Sequence, residues 1–225
     1  MTGAVVLRAS ALHRSYGRRG ARVRAVRNVS LDLSAGELVV LRGPSGSGKT
    51  TLLNLLGGLD TPTRGEVRVR GMLLDATAER QQVELRRQEF GFIFQGSALL
   101  GELSARENVD LPLRLAGVRH AERQRRIDHL LESVGIAAHG AQRPAELSGG
   151  QRQRLGIARA LANRPSVIIA DEPTGQLDST NAEAMMRLLA DLVHGEQVAA
   201  IVSTHDPRMA ALADRILVLR DGALV

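Results

Sequence analysis

The feature that most constrains the fold of this chain is a glycine-rich octapeptide between an apolar run and a leucine-rich stretch. The octapeptide consists of Gly43, Pro44, Ser45, Gly46, Ser47, Gly48, Lys49 and Thr50. Residues 38–41 before it are apolar and of strand length, and residues 49–59 are good helix formers that Gly57 and Gly58 end. A strand, a glycine loop and a helix in this order predict a mostly parallel α/β sheet.

The octapeptide has the spacing G-x-x-x-x-G-K-[ST], which favours a phosphate-binding loop. Glycines let successive backbone N–H groups point into one concavity, and the following helix adds its positive N-terminal end. Lys49 would neutralise phosphate charge, and the Thr50 hydroxyl would bind Mg²⁺. The alternative is a glycine-rich turn that binds nothing, and it is disfavoured because strand and helix patterns flank the loop.

Lys49 is the only lysine among the 30 basic residues of this 225-residue chain. A compact ammonium suits the loop, whereas a planar guanidinium is wider and would crowd it. The formal charge of +6 suggests a nucleic-acid partner. We expect no such partner, because the acidic residues are interspersed with the arginines and the excess is a general bias against lysine.

Several classes of protein are excluded by composition. The chain has no cysteine, so disulfides, Cys-ligated zinc and Fe–S clusters are absent. No apolar run approaches the roughly 18 residues that a membrane span requires. The N-terminus shows no secretory signal. We therefore expect a cytoplasmic protein.

Strand and helix patterns alternate along the chain. Strands are predicted at 4–8, 29–33, 38–41, 65–70, 90–94, 167–170, 198–203 and 215–219. Helices are predicted at 49–59, 78–89, 151–162, 180–193 and 207–213, and within the helical stretch 103–163 a further helix face is formed by Ile127, Leu130, Leu131 and Val134. The helix-rich middle is predicted to be an insertion or subdomain.

Two carboxylates follow the apolar run 167–170. They are Asp171 and Glu172, and on a buried parallel strand they would lie at the carboxyl end, where α/β sheets bind ligands. Asp171 can hold the Mg²⁺ shell, and Glu172 can polarise the water that attacks the γ-phosphate of a nucleotide. Alone, such residues are often helix caps or turns. Together with the phosphate loop they indicate an ATPase.

A second glycine motif opens the helix 151–162. It consists of Leu147, Ser148, Gly149, Gly150 and Gln151, and it exposes N–H groups and a hydroxyl at a helix N-terminus, which is an anion site. The alternative, an N-capping serine with loop glycines, explains Ser148 but not the whole string. A second phosphate site in one domain is expected to serve the nucleotide of another subunit.

These motifs resemble, in their order and over nearly the whole chain, the ATP-binding subunits of ABC transporters. The set runs from Tyr16 through the phosphate loop, Gln95, the 147–151 segment and Asp171–Glu172 to Asp178 and His205. The resemblance implies a P-loop NTPase (RecA-like) core, an antiparallel β region near the N-terminus and an inserted α-helical subdomain that carries the 147–151 segment. It also implies a single domain over 1–225, with the core at 1–95 and 165–225 and the helical subdomain at about 96–164.

The resemblance further implies a head-to-tail dimer with a second copy, in which ATP lies between the phosphate loop of one copy and the 147–151 segment of the other. Tyr16 would stack on adenine, Gln95 would touch Mg²⁺ or the attacking water, Asp178 would bridge the dimer, and His205 would contact the γ-phosphate. Their alternatives are a surface or core tyrosine, an exposed loop amide, a helix-capping aspartate and a structural histidine. The implied catalytic set is Glu172, His205, Lys49 and Gln95, the metal set is Thr50, Gln95 and Asp171, and the nucleotide set adds Thr51 to the two glycine motifs, Tyr16 and Asp178.

Residues 55–63 and 107–113 resemble the lipoprotein-release and macrolide-export type. Ser97, Gly101 and Gln176 depart from the residues common there, an aromatic, a proline and an asparagine. The function implied is an ATP-hydrolysing subunit that powers a separate membrane permease for export or extrusion, held peripherally at the inner face of the membrane. The alternatives are an ATPase that regulates a permease-like partner without transport, as in cell-envelope or division systems, and an ATPase acting on DNA or ribosomes, which the short chain disfavours.

The arginine clusters at 18–27 and 122–126 could contact anionic lipid or nucleic acid. A solvated surface is the favoured interpretation, because Arg123, Arg125 and Arg126 are predicted to lie off the apolar face of their helix.

Overall fold

A computed structural model describes residues 3–17, 23–74, 79–96 and 98–225. Its central sheet has six strands in the order β10-β9-β3-β8-β7-β6. Their bounds are Leu38–Arg42 (β3), Phe90–Phe94 (β6), Val167–Asp171 (β7), Ala199–Ser203 (β8), Arg215–Arg220 (β9) and Ala223–Leu224 (β10). All neighbours are parallel except β9 and β10, which confirms the predicted mostly parallel sheet.

A second sheet is antiparallel and formed by the N-terminal part of the chain, as the resemblance implies. Its order is β2-β1-β4-β5, with bounds Val5–Tyr16 (β1), Val23–Ser34 (β2), Arg64–Val69 (β4) and Met72–Leu73 (β5). The first two strands have 12 residues each, far longer than the predicted 4–8 and 29–33. Irregularities in their pairing interrupt the alternation of buried and exposed side chains, so the apolar pattern misses their polar halves.

Helices connect the strands and cover the central sheet. They are Lys49–Leu56 (α1), Glu79–Glu89 (α2), Ala105–Leu115 (α3), His120–Ser133 (α4), Gly149–Leu161 (α5), Ser179–Glu196 (α6) and Pro207–Ala210 (α7). The first ends three residues before the predicted bound, since Gly57 caps it and Gly58 is left-handed with φ of 63°. The last is also shorter than predicted. Three helices, α3 to α5, fill the chain between β6 and β7.

The two faces of the central sheet are both buried, and they pack on different layers. Along β3, Leu38 and Val40 face a cluster that includes residues of α3 to α6. Val39 and Leu41 face a second cluster, with α1 and the antiparallel sheet. Burial on both faces explains why β3, β7 and β8 are continuous apolar runs.

The predicted solvated surface on α4 is wrong for two of its three arginines. Arg126 is 7% exposed, its guanidinium pairs with both carboxylate oxygens of Glu196 on α6, and it also donates to the carbonyl of Leu161. Arg123 is half-buried and pairs with Asp110 on α3 at 2.7 Å. Only Arg125 is exposed. Buried arginines were missed because their partners come from other helices.

Within the described residues, no helix combines the length and the apolar character needed to cross a bilayer. Part of the arginine cluster at 18–27 and the departure at Ser97 lie outside the described residues.

Candidate functional site

The phosphate loop joins β3 to α1 at the carboxyl edge of the central sheet. Its path requires glycine at two positions where backbone from other strands comes close. A Cβ atom at Gly43 would lie 2.3 Å from the carbonyl oxygen of Leu219, and one at Gly48, where φ is 103°, would lie 2.2 Å from that of Ala25. The loop is therefore held between β2 and β9.

Two polar groups of the loop are arranged for an anion. The Lys49 ammonium donates to the carbonyl oxygens of Gly43 at 2.8 Å and Pro44 at 3.2 Å, so it is folded back over the loop. The Ser47 hydroxyl is buried and has no hydrogen-bond partner among the described residues. The N-cap of α1 is Gly48, which provides no side-chain cap. Uncapped N–H groups, a hydroxyl and an ammonium together fit a phosphate.

Asp171 lies at the end of β7 and is held from two sides. Its Oδ2 accepts a hydrogen bond from the Thr50 hydroxyl at 2.8 Å, and its Oδ1 accepts one from the Ser203 hydroxyl at 2.5 Å. Ser203 ends β8, directly beside Asp171 in the strand register. The structure thus brings the two expected metal ligands Thr50 and Asp171 together.

Glu172 has an unusual backbone and a histidine partner. Its φ is 47°, in the left-handed region that non-glycine residues seldom adopt. Its N–H donates to the Ser203 hydroxyl at 2.9 Å, and its Oε2 accepts a hydrogen bond from His205 Nδ1 at 2.9 Å. The side chain of Glu172 is largely buried, whereas His205 is exposed. Strained backbone of this kind is concentrated at functional sites.

One pocket of about 710 Å³ joins most of these groups. Its wall includes Tyr16, residues 45–51 of the loop and α1, and Asp171 with Glu172. Residues 23–25 and 27 of β2 and residues 221–222 complete the wall. The pocket therefore connects an aromatic ring, a phosphate loop and two carboxylates, and it includes Thr51 of the predicted nucleotide set.

Gln95 lies outside the residues that line this pocket. Its carbonyl accepts a hydrogen bond from the Gln153 side chain at 3.0 Å. The side-chain amide nitrogen of Gln95 lies beside Gly175. A Cβ atom added at Gly175 would be 3.1 Å from this nitrogen. The structure thus places Gln95 between α5 and the turn that follows Glu172.

The 147–151 segment also lies outside the pocket, at the N-terminus of α5. The Ser148 hydroxyl accepts a hydrogen bond from the N–H of Gln151 at 3.2 Å, and the Gln151 side chain accepts one from the N–H of Ser148 at 2.8 Å. Gln151 Nε2 further donates to His139 Nε2 at 2.9 Å. The capping alternative is therefore realised by Ser148 and by Gln151 as well.

Asp178 is the N-cap of α6. It accepts hydrogen bonds from the backbone N–H of Asn181 at 3.0 Å and from its side-chain amide at 2.6 Å. These hydrogen bonds hold the pKa of Asp178 below its ordinary value. Asp178 is exposed, as are Ser148 and Gly149. This second group of predicted residues forms a surface of its own, near Leu177.

Sequence reasoning missed Ser203, whose hydroxyl donates to the Asp171 carboxylate and accepts from the backbone N–H of Glu172. Of the residues at this end of β8, the sequence predicted a role only for His205. The signal that could have identified Ser203 is its position at the end of a strand adjacent to β7, and this requires the strand order.

Comparison with known proteins defines the class. Residues 26–175 match the family model described as ABC transporter. The chain belongs to this family, and it is an ATP-binding, ATP-hydrolysing subunit of the ABC type. A solved dimeric ATP-binding cassette in a post-hydrolysis state, bound to ADP and phosphate, shares 38% identity over 97% of this chain and 96% of its own, with a TM-score of 0.87.

The relatives identify the branch of the family. The lipoprotein-releasing system ATP-binding protein LolD of Psychrobacter arcticus is 46% identical over 96% of this chain and 96% of its own length. The macrolide export ATP-binding/permease protein MacB 2 of Yersinia pestis is 44% identical over 99% of this chain, which spans 33% of that longer protein. The predicted resemblance to the lipoprotein-release and macrolide-export type is confirmed.

Proposed function

We propose that this chain binds Mg²⁺-ATP in the pocket, closes on it as a head-to-tail dimer and powers a separate membrane permease that exports or extrudes a substrate. The observation that carries the proposal is the division of the predicted residues into two groups. Tyr16, the phosphate loop, Asp171 and Glu172 share one pocket. Ser148 and Gly149 of the 147–151 segment and Asp178 are exposed and lie outside this pocket.

Within the pocket, the loop N–H groups, Ser47 and Lys49 would bind the phosphates, and Tyr16 would bind the adenine. Lys49 has to leave the carbonyls of Gly43 and Pro44 to reach a phosphate. That exchange replaces two neutral acceptors by a charged one, which forms stronger hydrogen bonds. Binding would therefore reorganise this side chain.

Thr50 and Asp171 would hold Mg²⁺, since hydroxyl and carboxylate oxygens are the ligands this cation prefers. The ion would supply neutralisation of charge on the phosphate oxygens. Gln95 is the third proposed ligand. Its side chain lies near Gly175, in the turn that follows Glu172, and outside the residues that line the pocket.

Glu172 would act as the general base toward the attacking water, accepting its proton at the carboxylate. His205 already donates to Oε2 of that carboxylate, which leaves the other oxygen for the water and orients the group. His205, which is exposed and lies outside the residues that line the pocket, would also contact the γ-phosphate.

A second copy would complete the site. Ser148, Gly149 and Gly150 present the N-terminus of α5 to solvent rather than to the pocket of the same chain. Such an N-terminus attracts an anion. The dimeric cassette similar to this chain supports such an arrangement. Residues 96–164 would then act as the helical subdomain that delivers this segment to its partner.

The permease would dock in a groove of about 380 Å³ beside β6. Its apolar wall includes Phe90, Phe92 and Phe94 of β6 together with Leu111 and Leu115 of α3. A partner helix with an apolar face fits such a groove, and Gln95 follows β6 at its end. Docking there would hold the chain peripherally at the inner face of the membrane.

A second candidate is regulation of a permease-like partner that moves no substrate, since the groove would fit either partner. Export is favoured because the relatives include a lipoprotein-releasing and a macrolide-export protein. Reconstitution of the complex in vesicles separates the two, because only the first predicts ATP-dependent movement of substrate.

The assignment of Glu172 is tested by Glu172→Gln in the complex with its permease. We expect turnover to fall by about a hundredfold or more while ATP binding persists, because the amide cannot accept the proton of the attacking water. Glu183→Gln, at an exposed carboxylate on α6, is the control and should hydrolyse ATP normally. Wild-type turnover in Glu172→Gln would refute the role.

A further inference from the structure

The pocket wall includes an aromatic ring that is held by its hydroxyl. Tyr16 ends β1, lines the pocket and is 41% exposed. Its hydroxyl donates to Oδ2 of Asp60 at 2.6 Å. Tyr16 is the only tyrosine of a chain that has no tryptophan. Stacking on a base would require only the ring, so the hydroxyl contact needs its own explanation.

Arg14 completes a three-residue cluster with Tyr16 and Asp60. Its guanidinium carbon lies 4.6 Å from the centroid of the Tyr16 ring, over one face. It pairs with both oxygens of Asp60, with Nε 2.8 Å from Oδ2 and Nη2 2.6 Å from Oδ1. Arginine over an aromatic face is a favourable cation–π arrangement. One face of the ring is therefore covered, and the other remains for a ligand.

Asp60 is anchored to the helix that carries the phosphate loop. Its Oδ1 accepts a hydrogen bond from the N–H of Thr61 at 2.8 Å. Its own N–H donates to the carbonyl of Asn54 in α1 at 3.2 Å, as does the N–H of Leu59 at 2.8 Å. Since α1 begins at Lys49 of the phosphate loop, Asp60 links the Tyr16 ring to the helix that follows this loop.

We propose that Arg14 and Asp60 are positioning residues that clamp Tyr16. The clamp fixes the position of the ring relative to the phosphate loop and leaves one ring face open for the base. The proposal rests on the proposed stacking of Tyr16 on the base. A ring that is already oriented loses less conformational freedom when the nucleotide binds, and this raises affinity. Since the hydrogen-bond partners of Glu172 are Ser203 and His205 and not members of the cluster, we expect the chemical step not to depend on it.

Tyr16→Phe and Asp60→Asn in the full chain test the clamp. Phenylalanine keeps the ring and loses the hydroxyl, and asparagine keeps an acceptor oxygen and loses the charge that pairs with Arg14. We expect each to raise the dissociation constant for ATP and for ADP by about fivefold, the effect of one hydrogen bond. Turnover of Asp60→Asn at saturating ATP should stay within about twofold of wild type, a split that loss of fold would not produce.

Arg8 on β1 and Asp32 on the neighbouring strand β2 provide a matched control. They form an exposed ion pair at 3.0 Å, outside the residues that line the pocket. Asp32→Asn therefore removes a comparable charge without touching Tyr16, and calorimetry should give the wild-type dissociation constant.

Intrinsic fluorescence gives a signature of the ring itself, because emission comes from Tyr16 alone. A carboxylate that accepts from the phenol quenches tyrosine emission, so Asp60→Asn should emit more strongly than wild type before nucleotide is added. Addition of ATP should quench both proteins through stacking, with the variant requiring more ATP. If the Asp60 carboxylate served stability only, Asp60→Asn would lower the unfolding midpoint without changing the ATP dependence of this emission.

Tyr16→Ala distinguishes a failure of the proposed stacking from a failure of the proposed clamp. If Tyr16→Ala binds ATP as tightly as wild type, the stacking itself is wrong. If Tyr16→Ala weakens binding but Tyr16→Phe and Asp60→Asn bind like wild type, stacking stands and the clamp is overturned. Should Asp60→Asn fail to fold, Tyr16→Phe still decides, since it removes one exposed hydroxyl and nothing else.

Discussion

Two helices of this protein begin at glycine motifs, and their N-termini are built differently. The N-cap of α1 is Gly48, with φ of 103° and no side-chain cap. The N-cap of α5 is Ser148, which forms a complete capping box with Gln151. The first N-terminus lines a pocket together with the buried hydroxyl of Ser47, which has no hydrogen-bond partner in the described part of the chain. The second lies on the surface and is already partly satisfied by its own chain.

The difference indicates how the two sites share one nucleotide. An uncapped helix N-terminus in a pocket needs an anion to satisfy its donors, so the phosphate loop is suited to bind ATP within a single chain. A self-capped N-terminus is stable without a ligand and has fewer donors to offer. It is suited to bind only after the first site is filled, when a second copy approaches.

The largest expected effect comes from Lys49→Arg, at the uncapped site. The planar guanidinium is wider than the ammonium that folds over the loop, so we expect turnover to fall by about a hundredfold or more. Steady-state ATP hydrolysis measures it. Arg125→Lys, at an exposed position on α4, is the control and should be mild. A fully active Lys49→Arg would show that the loop does not need the compact ammonium.

An intermediate effect is expected from Ser148→Ala, at the self-capped site. Loss of the cap should cost about 1 kcal/mol of unfolding free energy, and turnover of the dimer should fall while the nucleotide affinity of the single chain is unchanged. Urea unfolding, calorimetry and ATP hydrolysis measure the three quantities.

Ser104→Ala is the matched control for Ser148→Ala. Ser104 forms an equivalent capping box with Glu107 at the start of α3, so the two variants should lose similar stability, but only Ser148→Ala should lose turnover. Equal turnover in both would mean that the 147–151 segment is a cap and no more.

The smallest expected effect concerns Asp178, the neighbouring cap of α6. Its folded pKa lies below the ordinary value because Asn181 donates to it. Its stabilisation is therefore present above the ordinary pKa of about 3.9 and is lost as pH falls through the lower folded value. Urea midpoints measured in acid should decline less in Asp178→Asn, which caps without a charge. Identical slopes in wild type and Asp178→Asn would contradict the expectation.

The alternation of strands and helices, the mostly parallel sheet and the phosphate loop could all be predicted from the sequence, because each rests on neighbouring residues. The strand 90–94 was predicted with its observed bounds, since five residues of one apolar run need no distant partner to be recognised. The polar halves of β1 and β2 could not be predicted, because pairing irregularities break their alternation. The buried Arg126 could not be predicted either, since Glu196 lies 70 residues away in the chain.

The sequence by itself determined the chemistry of this protein. Glycines, a lysine, a threonine and paired carboxylates at set spacings specify a phosphate site wherever they fold, because the spacing is local. Only the tertiary structure decided how these groups are held and which of them meet. Ser203 reaches Asp171 across the register of β8 and β7, and Asp60 reaches Tyr16 from the end of α1. Such contacts depend on which strands are adjacent and how helices pack, and no local pattern encodes them.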